Sequence, residues 1–381
     1  MIKPHKNSIH VYSHLFAGYF LLAFAISIFS QETLVFESGK DGNATYRIPA
    51  IIKLKSGKLL AFAEGRRKGA GDFGDVNIVL KTSVDNGKTW SAMQDVAENA
   101  DFQAGNPAPV VDYFDKNFSQ GRIFLFYNTG NNTEALVRKG NGKREVWFKT
   151  SIDEGKTWSE AVNISTQVKL TEWRSYANTP GHALQISKGK YKGRIIVPFN
   201  YSKGEPEQDF SDYMAAVFYS DDHGKTFKIS NDVGIKGSNE STAAELPNTG
   251  ILLNSRNQKG DEKYRIFARS LNGGESWTEV GFDKNLPDPV CQGSLLNLTD
   301  KIIAFSNNAD QKNRNNLTLR ISYDEGKSWT KSILVDGKEN LNQNEDYTAY
   351  SDLVLLDKDR IGILYEKEEY KKIVFKIIKW K

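Results

Sequence analysis

Cysteine and histidine are scarce in this sequence of 381 residues, and their scarcity excludes several kinds of site. The single cysteine, Cys291, excludes an internal disulfide framework and any metal site built from several cysteines. Three of the five histidines lie within the first 14 residues, so the rest of the chain has only His182 and His223. A zinc site of three histidines is therefore excluded, whereas a Ser-His-Asp hydrolase stays possible.

The net charge of the chain is also small. The formal net charge is +4, and the two lysines of residues 1–30 account for half of it. No block of Lys and Arg is present, so the sequence gives no reason to expect nucleic-acid binding. With 39% hydrophobic and 26% charged residues, and 31 Gly against 10 Pro, the chain is globular rather than disordered or collagen-like. Its length is enough for one large domain or two medium ones.

An apolar run near the N-terminus predicts export. Residues 1–14 are polar and weakly basic, and residues 15–29 are apolar apart from one Gly and one Ser. A run of about 15 apolar residues is short for a membrane span and typical of a signal-peptide core. We expect residues 1–30 to be a signal peptide and residues 31–381 to be one exported domain: secreted, periplasmic or at the cell surface. An uncleaved anchor is the alternative; no cysteine follows the run, which excludes lipid attachment there.

A short motif recurs along the chain and predicts its architecture. In residues 83–90 and 151–158 it reads Ser-x-Asp-x-Gly-Lys-Thr-Trp. Each copy follows a β-rich run and contains a turn signal in which Gly takes a positive φ, the Asp side chain accepts from turn N–H groups, and the closing aromatic packs beneath the hairpin. One copy is degenerate, with Asn272 in place of Asp and Glu275 in place of Lys. The copies span residues 83–90, 151–158, 220–227, 270–277 and 322–329.

Hairpins that recur at this spacing are typical of propellers built from four-stranded blades. Few stretches have helical periodicity, and no Pro- or Ser-rich linker divides the chain after residue 30. The sequence therefore predicts an all-β, six-bladed β-propeller in a single domain, and two β-sandwiches are the alternative. The motifs themselves are interpreted as structural rather than chemical.

Catalytic chemistry must depend on carboxylates, arginines and tyrosines, because histidine is so scarce. Several segments outside the repeated motifs concentrate these residue types. They are Tyr46-Arg-Ile-Pro49, residues 61–67 and 69–75, Glu240-Ser-Thr-Ala-Ala-Glu245, Asn254-Ser-Arg256, residues 314–320, Ala349-Tyr-Ser-Asp352 and Tyr365-Glu366.

With these segments the chain resembles the exo-sialidase (neuraminidase) family. The resemblance rests on Tyr46-Arg-Ile-Pro49, the repeated Ser-x-Asp-x-Gly-x-Thr-Trp boxes and the late Tyr350-Ser-Asp-Leu353 segment, in that order, across about residues 36–378. It implies an exo-α-sialidase that removes terminal sialic acid with retention at the anomeric carbon, in a catalytic domain spanning residues 31–381. Sialylated glycoproteins, glycolipids or oligosaccharides would be its substrates, without a cofactor or metal, and we expect a monomer.

The resemblance also implies roles for individual residues. Three arginines would grip the substrate carboxylate: Arg47, Arg256 and Arg314. Tyr350 matches the family's nucleophile and Glu240 the glutamate that takes its proton, with Glu245 a nearby alternative to Glu240.

Further roles follow from the same resemblance. Asp72, on a glycine-rich loop, best matches the acid/base aspartate, and Asp75 is its competitor. Glu366 matches the carboxylate that holds the first arginine in place. Glu64 and Arg66 resemble residues that contact the 4-position of the sugar.

Elementary chemistry agrees with these roles. A guanidinium pairs bidentately with a carboxylate and keeps its charge, which favours Arg over Lys. The substrate carboxylate would repel an anionic nucleophile, whereas a neutral tyrosine escapes that repulsion but needs a base because its pKa is near 10. Tyrosine-nucleophile sialidases are known exceptions to the two-carboxylate pattern of glycosidases. The acid aspartate must be protonated, and burial beneath substrate would raise its pKa.

Other residues are interpreted as structural: Arg269, Arg320, Cys291, His182 and His223. Tyr201 is a speculative candidate for stacking on a sugar. Two alternatives to hydrolysis stay open. One is a trans-sialidase or an enzyme that forms an anhydro product with the same residues, and the other is a sialic-acid-binding propeller without activity. The combination of Tyr350, Glu240 and Asp72 argues against a non-catalytic lectin, which would not need all three.

Overall fold

The computed structural model describes residue 1 and residues 32–342 and 345–381. Apart from residue 1, the predicted signal peptide lies outside these residues, so it stays a prediction. Within the described ranges, none of the helices has the length and apolar character that crossing a membrane requires. The residues from 32 onward belong to one compact unit.

β-Strands make up most of this unit. The first thirteen are β1 (Glu32–Glu37), β2 (Thr45–Lys53), β3 (Leu59–Arg66), β4 (Val76–Ser83), β5 (Gln94–Ala97), β6 (Gln103–Asp112), β7 (Arg122–Gly130), β8 (Arg144–Ser151), β9 (Val162–Asn163), β10 (Trp173–Asn178), β11 (Leu184–Gln185), β12 (Ile195–Lys203) and β13 (Tyr213–Ser220). The others are β14 (Lys228–Ile229), β15 (Ser238–Glu245), β16 (Ile251–Asn257), β17 (Tyr264–Ser270), β18 (Glu279–Pro287), β19 (Ser294–Asn297), β20 (Ile303–Asn308), β21 (Leu317–Ser322), β22 (Lys331–Asp336), β23 (Thr348–Leu355), β24 (Arg360–Lys367) and β25 (Lys372–Lys379). Two short helices, α1 (Glu134–Arg138) and α2 (Ser165–Val168), lie between strands.

The strands form a β-propeller arrangement of antiparallel meanders. Four of the five sheets have the size of a single blade: β15–β18 and β19–β22 in chain order, β23–β25 with β1, and β10–β14, in which β11 pairs with β12. The fifth sheet contains the eight strands β2 to β9. The all-β expectation is therefore confirmed.

The expected six separate blades are not found when the hydrogen-bonded sheets are counted, so the prediction of the blade number is wrong. Four sheets are single blades, and the strands β2–β9 form one larger sheet instead of two blades. The join is a single parallel pairing between Val76 of β4 and Gln103 of β6, next to the loop that carries Asp72. Repeat spacing could not predict this join, because the pairing lies outside the repeated motifs.

The repeated motifs have the predicted hairpin geometry. In the second copy, Asp153 accepts hydrogen bonds from Thr157 N (3.0 Å) and Thr157 Oγ1 (2.6 Å), and Ser151 Oγ accepts from Gly155 N (2.9 Å). Gly155 has a φ of 80°, and a Cβ there would meet Leu60 at 2.8 Å. The closing Trp158 packs edge-on against Phe62, with ring centroids 6.0 Å apart. The motifs therefore join neighbouring strands of the core rather than build a site.

The ends of the described chain meet in one sheet. β1 pairs antiparallel with β25, and Glu32 lies opposite Lys376. Strand β1 thus completes the sheet that contains Tyr350 on β23. The next strand along the chain, β2, carries Arg47. This pairing brings segments more than 300 residues apart to the same site.

Candidate active site

An open cavity of about 280 Å³ collects most of the predicted site residues. Charged and polar side chains from several sheets line it. Those predicted from the sequence are Arg47, Glu64, Arg66, Asp72, Glu240, Arg256, Arg314 and Tyr350. Because these residues are far apart in the sequence, the fold rather than local structure assembles the cavity.

Arg47 is held by a buried carboxylate beneath the cavity. Its Nε donates to Glu366 Oε1 at 2.7 Å, and the same oxygen accepts from Ile48 N at 2.8 Å. Glu366 Oε2 accepts from Tyr350 N at 3.2 Å, so one fully buried side chain connects the strands of Arg47 and Tyr350. Burial alone would lower the pKa of Arg47, but the charge of Glu366 reverses this and raises it. The guanidinium therefore stays charged.

Arg256 and Tyr350 share Glu240. Tyr350 Oη donates to Glu240 Oε1 at 2.6 Å, and Arg256 Nη1 contacts Glu240 Oε2 at 2.8 Å and Tyr350 Oη at 3.0 Å. Burial raises the pKa of Tyr350 well above its ordinary value, and the negative charge of Glu240 adds to this. The phenol is therefore neutral in the free protein, with a carboxylate in position to take its proton.

Arg314 approaches the same tyrosine from the loop before β21. Its guanidinium carbon lies 5.7 Å from the centre of the Tyr350 ring, and the corresponding distance for Arg47 is 5.4 Å. The Nη2 of Arg314 donates to Val290 O at 3.2 Å. The structure thus brings all three predicted arginines around Tyr350.

Asp72 lies at the mouth of the cavity on the loop between β3 and β4. Its side chain is 84% exposed and forms a 2.8 Å ion pair with Arg66, which in turn contacts Glu64 at 2.7 Å. Desolvation by the loop would raise the pKa of Asp72, but the charges of Arg66 and Arg47 outweigh it and lower the pKa. In the free protein this carboxyl is therefore ionised at neutral pH, so it would need a proton to act as an acid.

The competing candidates lie elsewhere. Asp75 faces Arg67 and Lys68, each at 3.9 Å, and lines a separate pocket. Glu245 accepts hydrogen bonds from Ser187 at the opposite end of β15 from Glu240. The geometry therefore favours Asp72 and Glu240 over their neighbours.

Tyr201 is not part of this cavity. It is buried against Trp173, with ring centroids 3.8 Å apart, and its hydroxyl donates to Asp232 at 3.0 Å. Tyr201 and Trp173 line a different pocket, so sugar stacking by Tyr201 stays a prediction that does not involve the main cavity. In that position the aromatic ring packs between strands.

Each histidine of the described body lies between strands and contacts a buried aspartate on another strand. His182 Nδ1 lies 2.7 Å from Asp352 Oδ1, and His223 Nδ1 lies 2.8 Å from Asp112 Oδ2. Asp115 completes a group with Asp112 and His223 whose ligand atoms could surround an ion. Its carboxylate oxygens already accept from Arg122 and Asn117, and Asp112 accepts from Gln185, so the group is explained as a hydrogen-bonded cluster.

Sequence reasoning missed other residues at the cavity. Tyr370 contacts two of the three arginines, and nothing in Glu368-Glu-Tyr370 distinguishes it from an ordinary turn. The far side of the cavity is polar and aromatic, and it belongs to segments without a repeated motif. The residues there include Asn106, Asn128, Glu134, Arg144, Tyr176, Asn200 and Tyr213.

Comparison with known proteins agrees with the fold. The BNR repeat-like domain family matches residues 39–363. A sialidase of Micromonospora viridifaciens is 30% identical over 348 residues, covering 86% of this chain and 51% of that protein. An exo-alpha-sialidase of Aspergillus fumigatus is 30% identical over 310 residues, covering 74% of this chain and 69% of that protein. The chain spans about half the length of the Micromonospora protein.

Solved structures show the same fold. The Hadza microbial sialidase Hz136 superposes with a TM-score of 0.78 at 25% identity, covering 92% of this chain and 68% of that one. An intramolecular trans-sialidase from Ruminococcus gnavus superposes with a TM-score of 0.71 at 19% identity, covering 92% of this chain and 97% of that one. From the family match, the sialidases at 30% identity and the shared fold, we conclude that this chain belongs to the sialidase family of glycoside hydrolases.

Proposed function

We propose that this protein is an exo-α-sialidase that hydrolyses terminal sialic acid from glycoconjugates with retention at the anomeric carbon. The observation that carries the proposal is the convergence of Arg47, Arg256 and Arg314 around the hydrogen-bonded pair of Tyr350 and Glu240. Three guanidinium groups in one cavity suit a ligand with a carboxylate, because each can donate two parallel hydrogen bonds. Its similarity to a sialidase and to an exo-alpha-sialidase supports the same substrate.

In the first step, Tyr350 Oη attacks the anomeric carbon while Glu240 takes the phenol proton. The bond from the anomeric carbon to the glycosidic oxygen breaks, and protonated Asp72 donates its proton to the leaving oxygen. In the second step, Asp72 takes a proton from water, the water oxygen bonds to the anomeric carbon, and the tyrosine leaves and regains its proton from Glu240. Two inversions at one carbon give net retention.

Asp72 is ionised in the free protein, so the proposal requires that substrate binding restores its proton. A sialoside carboxylate that pairs with Arg47 would neutralise one of the charges that lower the pKa of Asp72. Covering the exposed Asp72 side chain with the leaving sugar would desolvate it and act in the same direction. Both effects favour the acid form at the moment when the leaving oxygen needs a proton.

The test is hydrolysis of a fluorogenic aryl sialoside and of a natural sialoside by the wild type and by the variant Tyr350→Phe. We expect the variant to lose about 10³-fold or more in kcat, because the nucleophile is absent, and to keep its affinity for a sialic acid analogue. Tyr323→Phe is the matched control, because Tyr323 is an exposed residue of the last repeated motif. Full activity of Tyr350→Phe would overturn the tyrosine mechanism.

Asp72→Asn and Asp75→Asn separate the two acid candidates in the same assay. Loss of the acid at Asp72 should slow cleavage of the natural sialoside more than that of the aryl sialoside, whose leaving group needs less protonation. Asp75→Asn should leave both rates near the wild type. Nuclear magnetic resonance of the first-formed sugar, with lactose present, identifies the anomer and distinguishes hydrolysis from transfer or an anhydro product.

A further inference from the structure

Tyr370 lies between two of the three arginines of the cavity. Its ring faces the guanidinium of Arg47, with 3.9 Å between the guanidinium carbon and the ring centre. Its hydroxyl accepts a hydrogen bond from Arg314 Nη1 at 3.2 Å. One side chain therefore contacts both groups, one through the face of its π-system and one through its oxygen.

The turn that carries Tyr370 has an unusual backbone. Glu368, Glu369 and Tyr370, between β24 and β25, have φ values of 56°, 52° and 68°. Three consecutive residues other than glycine in the left-handed region cost free energy, and such strain persists only where the surroundings enforce it. Here Glu368 N donates to Tyr347 O at 2.7 Å, and Ser38 Oγ donates to Tyr370 O at 2.9 Å.

Asp346 connects this turn to Arg314. The Tyr370 hydroxyl donates to Asp346 Oδ2, and Asp346 Oδ1 accepts from the backbone N–H of Arg314 at 3.2 Å. The N–H groups of Tyr347 and Thr348 both donate to Arg314 O at 3.0 Å. The backbone of Arg314 and the hydroxyl that its side chain contacts are thus fixed by the same short segment.

The charges of the three arginines are balanced differently. Arg47 is paired with Glu366 at 2.7 Å, and Arg256 with Glu240 at 2.8 Å. The carboxylate that contacts Arg314 is Asp346, 3.9 Å from its Nε, and its terminal nitrogens donate to the neutral oxygens of Tyr370 and Val290. Tyr370 therefore orients Arg314 without neutralising it, which leaves a positive charge for an incoming carboxylate.

We propose that Tyr370 is a positioning residue that holds Arg47 and Arg314 in the arrangement required to bind the substrate carboxylate, with Asp346 fixing its hydroxyl. This rests on the proposed sialidase function. The carboxylate is bound both before and during the reaction, so losing the alignment weakens ground-state and transition-state binding alike. Such a loss raises KM and leaves kcat nearly unchanged.

The experiment compares the wild type with Tyr370→Phe, Tyr370→Leu and Asp346→Asn. It measures KM and kcat on an aryl sialoside, the calorimetric Kd of 2-deoxy-2,3-didehydro-sialic acid, and the thermal unfolding midpoint. Tyr370→Phe keeps the ring over Arg47 and loses the hydroxyl, so we expect KM and Kd to rise about 3- to 10-fold. Tyr370→Leu loses both contacts, and we expect a rise of about 10- to 100-fold, with kcat within about threefold of the wild type.

Asp346→Asn keeps an oxygen for the Arg314 N–H but loses the acceptor of the Tyr370 hydroxyl, so it should raise KM and Kd as Tyr370→Phe does. The effects of the two substitutions should be less than additive in the double variant, because both remove that one hydrogen bond. Tyr347→Phe is the matched control, because it also removes one tyrosine hydroxyl and lies next to Asp346. The Tyr347 ring is 5.9 Å from Lys367 Nζ rather than against an arginine of the cavity. If Tyr370→Leu does not fold, the Phe and Asn variants still decide the result.

Unchanged KM and Kd in a folded Tyr370→Phe and Asp346→Asn, or lower unfolding midpoints without any change in binding, would overturn the positioning role alone. A wild type that neither binds the analogue nor cleaves the sialoside would instead overturn the proposed function, and the positioning role with it. The wild-type measurement therefore tells the two failures apart.

Discussion

Asp352 is the second buried carboxylate that fixes the strand of Tyr350. Its Oδ2 accepts from Ile51 N at 2.8 Å and from His182 N at 2.9 Å, while Oδ1 accepts from Ser294 Oγ at 2.7 Å and contacts His182 Nδ1. It lies two residues after Tyr350 on β23. A charge buried this completely is tolerated because its oxygens contact donors from three separate segments, those of Ile51, His182 and Ser294.

His182 makes this arrangement sensitive to pH. Burial alone would lower the pKa of His182, but the charge and hydrogen bond of Asp352 outweigh it and raise the pKa above its ordinary value. Protonation then favours the folded state. This contribution is complete below the unfolded-state pKa, about 6.5, and is lost as the pH rises through the raised folded-state pKa.

We therefore predict that the wild type loses stability above about pH 6.5 and that His182→Gln reduces this loss. At pH 6 the variant should be less stable by about 1–3 kcal/mol, because Asp352 loses a charged donor. Urea unfolding from pH 5.5 to 9 measures both effects. A variant whose stability changes with pH as steeply as that of the wild type would contradict the role of the ion pair.

At the scale of the element, the repeated motif is a hairpin turn organised by one side chain. The degenerate copy performs the same function with an amide: Asn272 Oδ1 accepts from Ser276 N at 3.0 Å, and its Nδ2 donates to Ser276 Oγ at 3.0 Å. The departure noted in the sequence thus preserves the turn. The motif needs an acceptor for the turn N–H groups, and a negative charge is not required.

This predicts different outcomes for two substitutions of Asp153. Asp153→Asn should be nearly neutral, because Asn272 shows that the amide reproduces the contacts. Asp153→Ala removes the acceptor for Thr157 N and Thr157 Oγ1 and should cost about 1–3 kcal/mol of unfolding free energy. Chemical denaturation of the two variants measures the difference, and equal losses in both would show that the charge itself matters.

These motifs could be predicted from the sequence because their structure is local: Ser151, Asp153, Gly155 and Thr157 contact one another within seven residues. The number of separate sheets could not be predicted, because the pairing of Val76 with Gln103 joins segments outside the motifs. The site residues could be nominated because their motifs resemble those of a known family.

Other parts of the site depend on contacts between distant segments. The hydroxyl of Tyr350 meets Glu240, 110 residues away, and no local pattern encodes that distance. Tyr370 was missed for the same reason: its three consecutive positive φ values follow from contacts with Asp346 and Ser38, whereas Glu-Glu-Tyr has no turn signal of its own. The place of Tyr201 could not be predicted, because an aromatic residue on a strand fits packing and sugar stacking equally well.

At the scale of the whole molecule, the fold brings three positive charges together in one cavity. The net charge is +4, yet Arg47, Arg256 and Arg314 lie around one tyrosine. Concentrating like charges is unfavourable, and the fold offsets it with Glu366 and Glu240 behind the guanidinium groups. The sheet with Tyr350 must therefore be held firmly against the strands that supply the arginines.

The closing strand β1 is where that support can be tested. Phe36 is fully buried and packs against Tyr46, with ring centroids 5.1 Å apart, next to Arg47. Leu34, on the same strand, is 45% exposed. We predict that Phe36→Ala destabilises the protein by about 3–5 kcal/mol, through lost burial and a cavity, and that Leu34→Ala costs less than about 1 kcal/mol. Both variants keep the β1–β25 hydrogen bonds, so equal losses in urea unfolding would mean that backbone pairing, and not the packing of Phe36, holds the ends of the chain together.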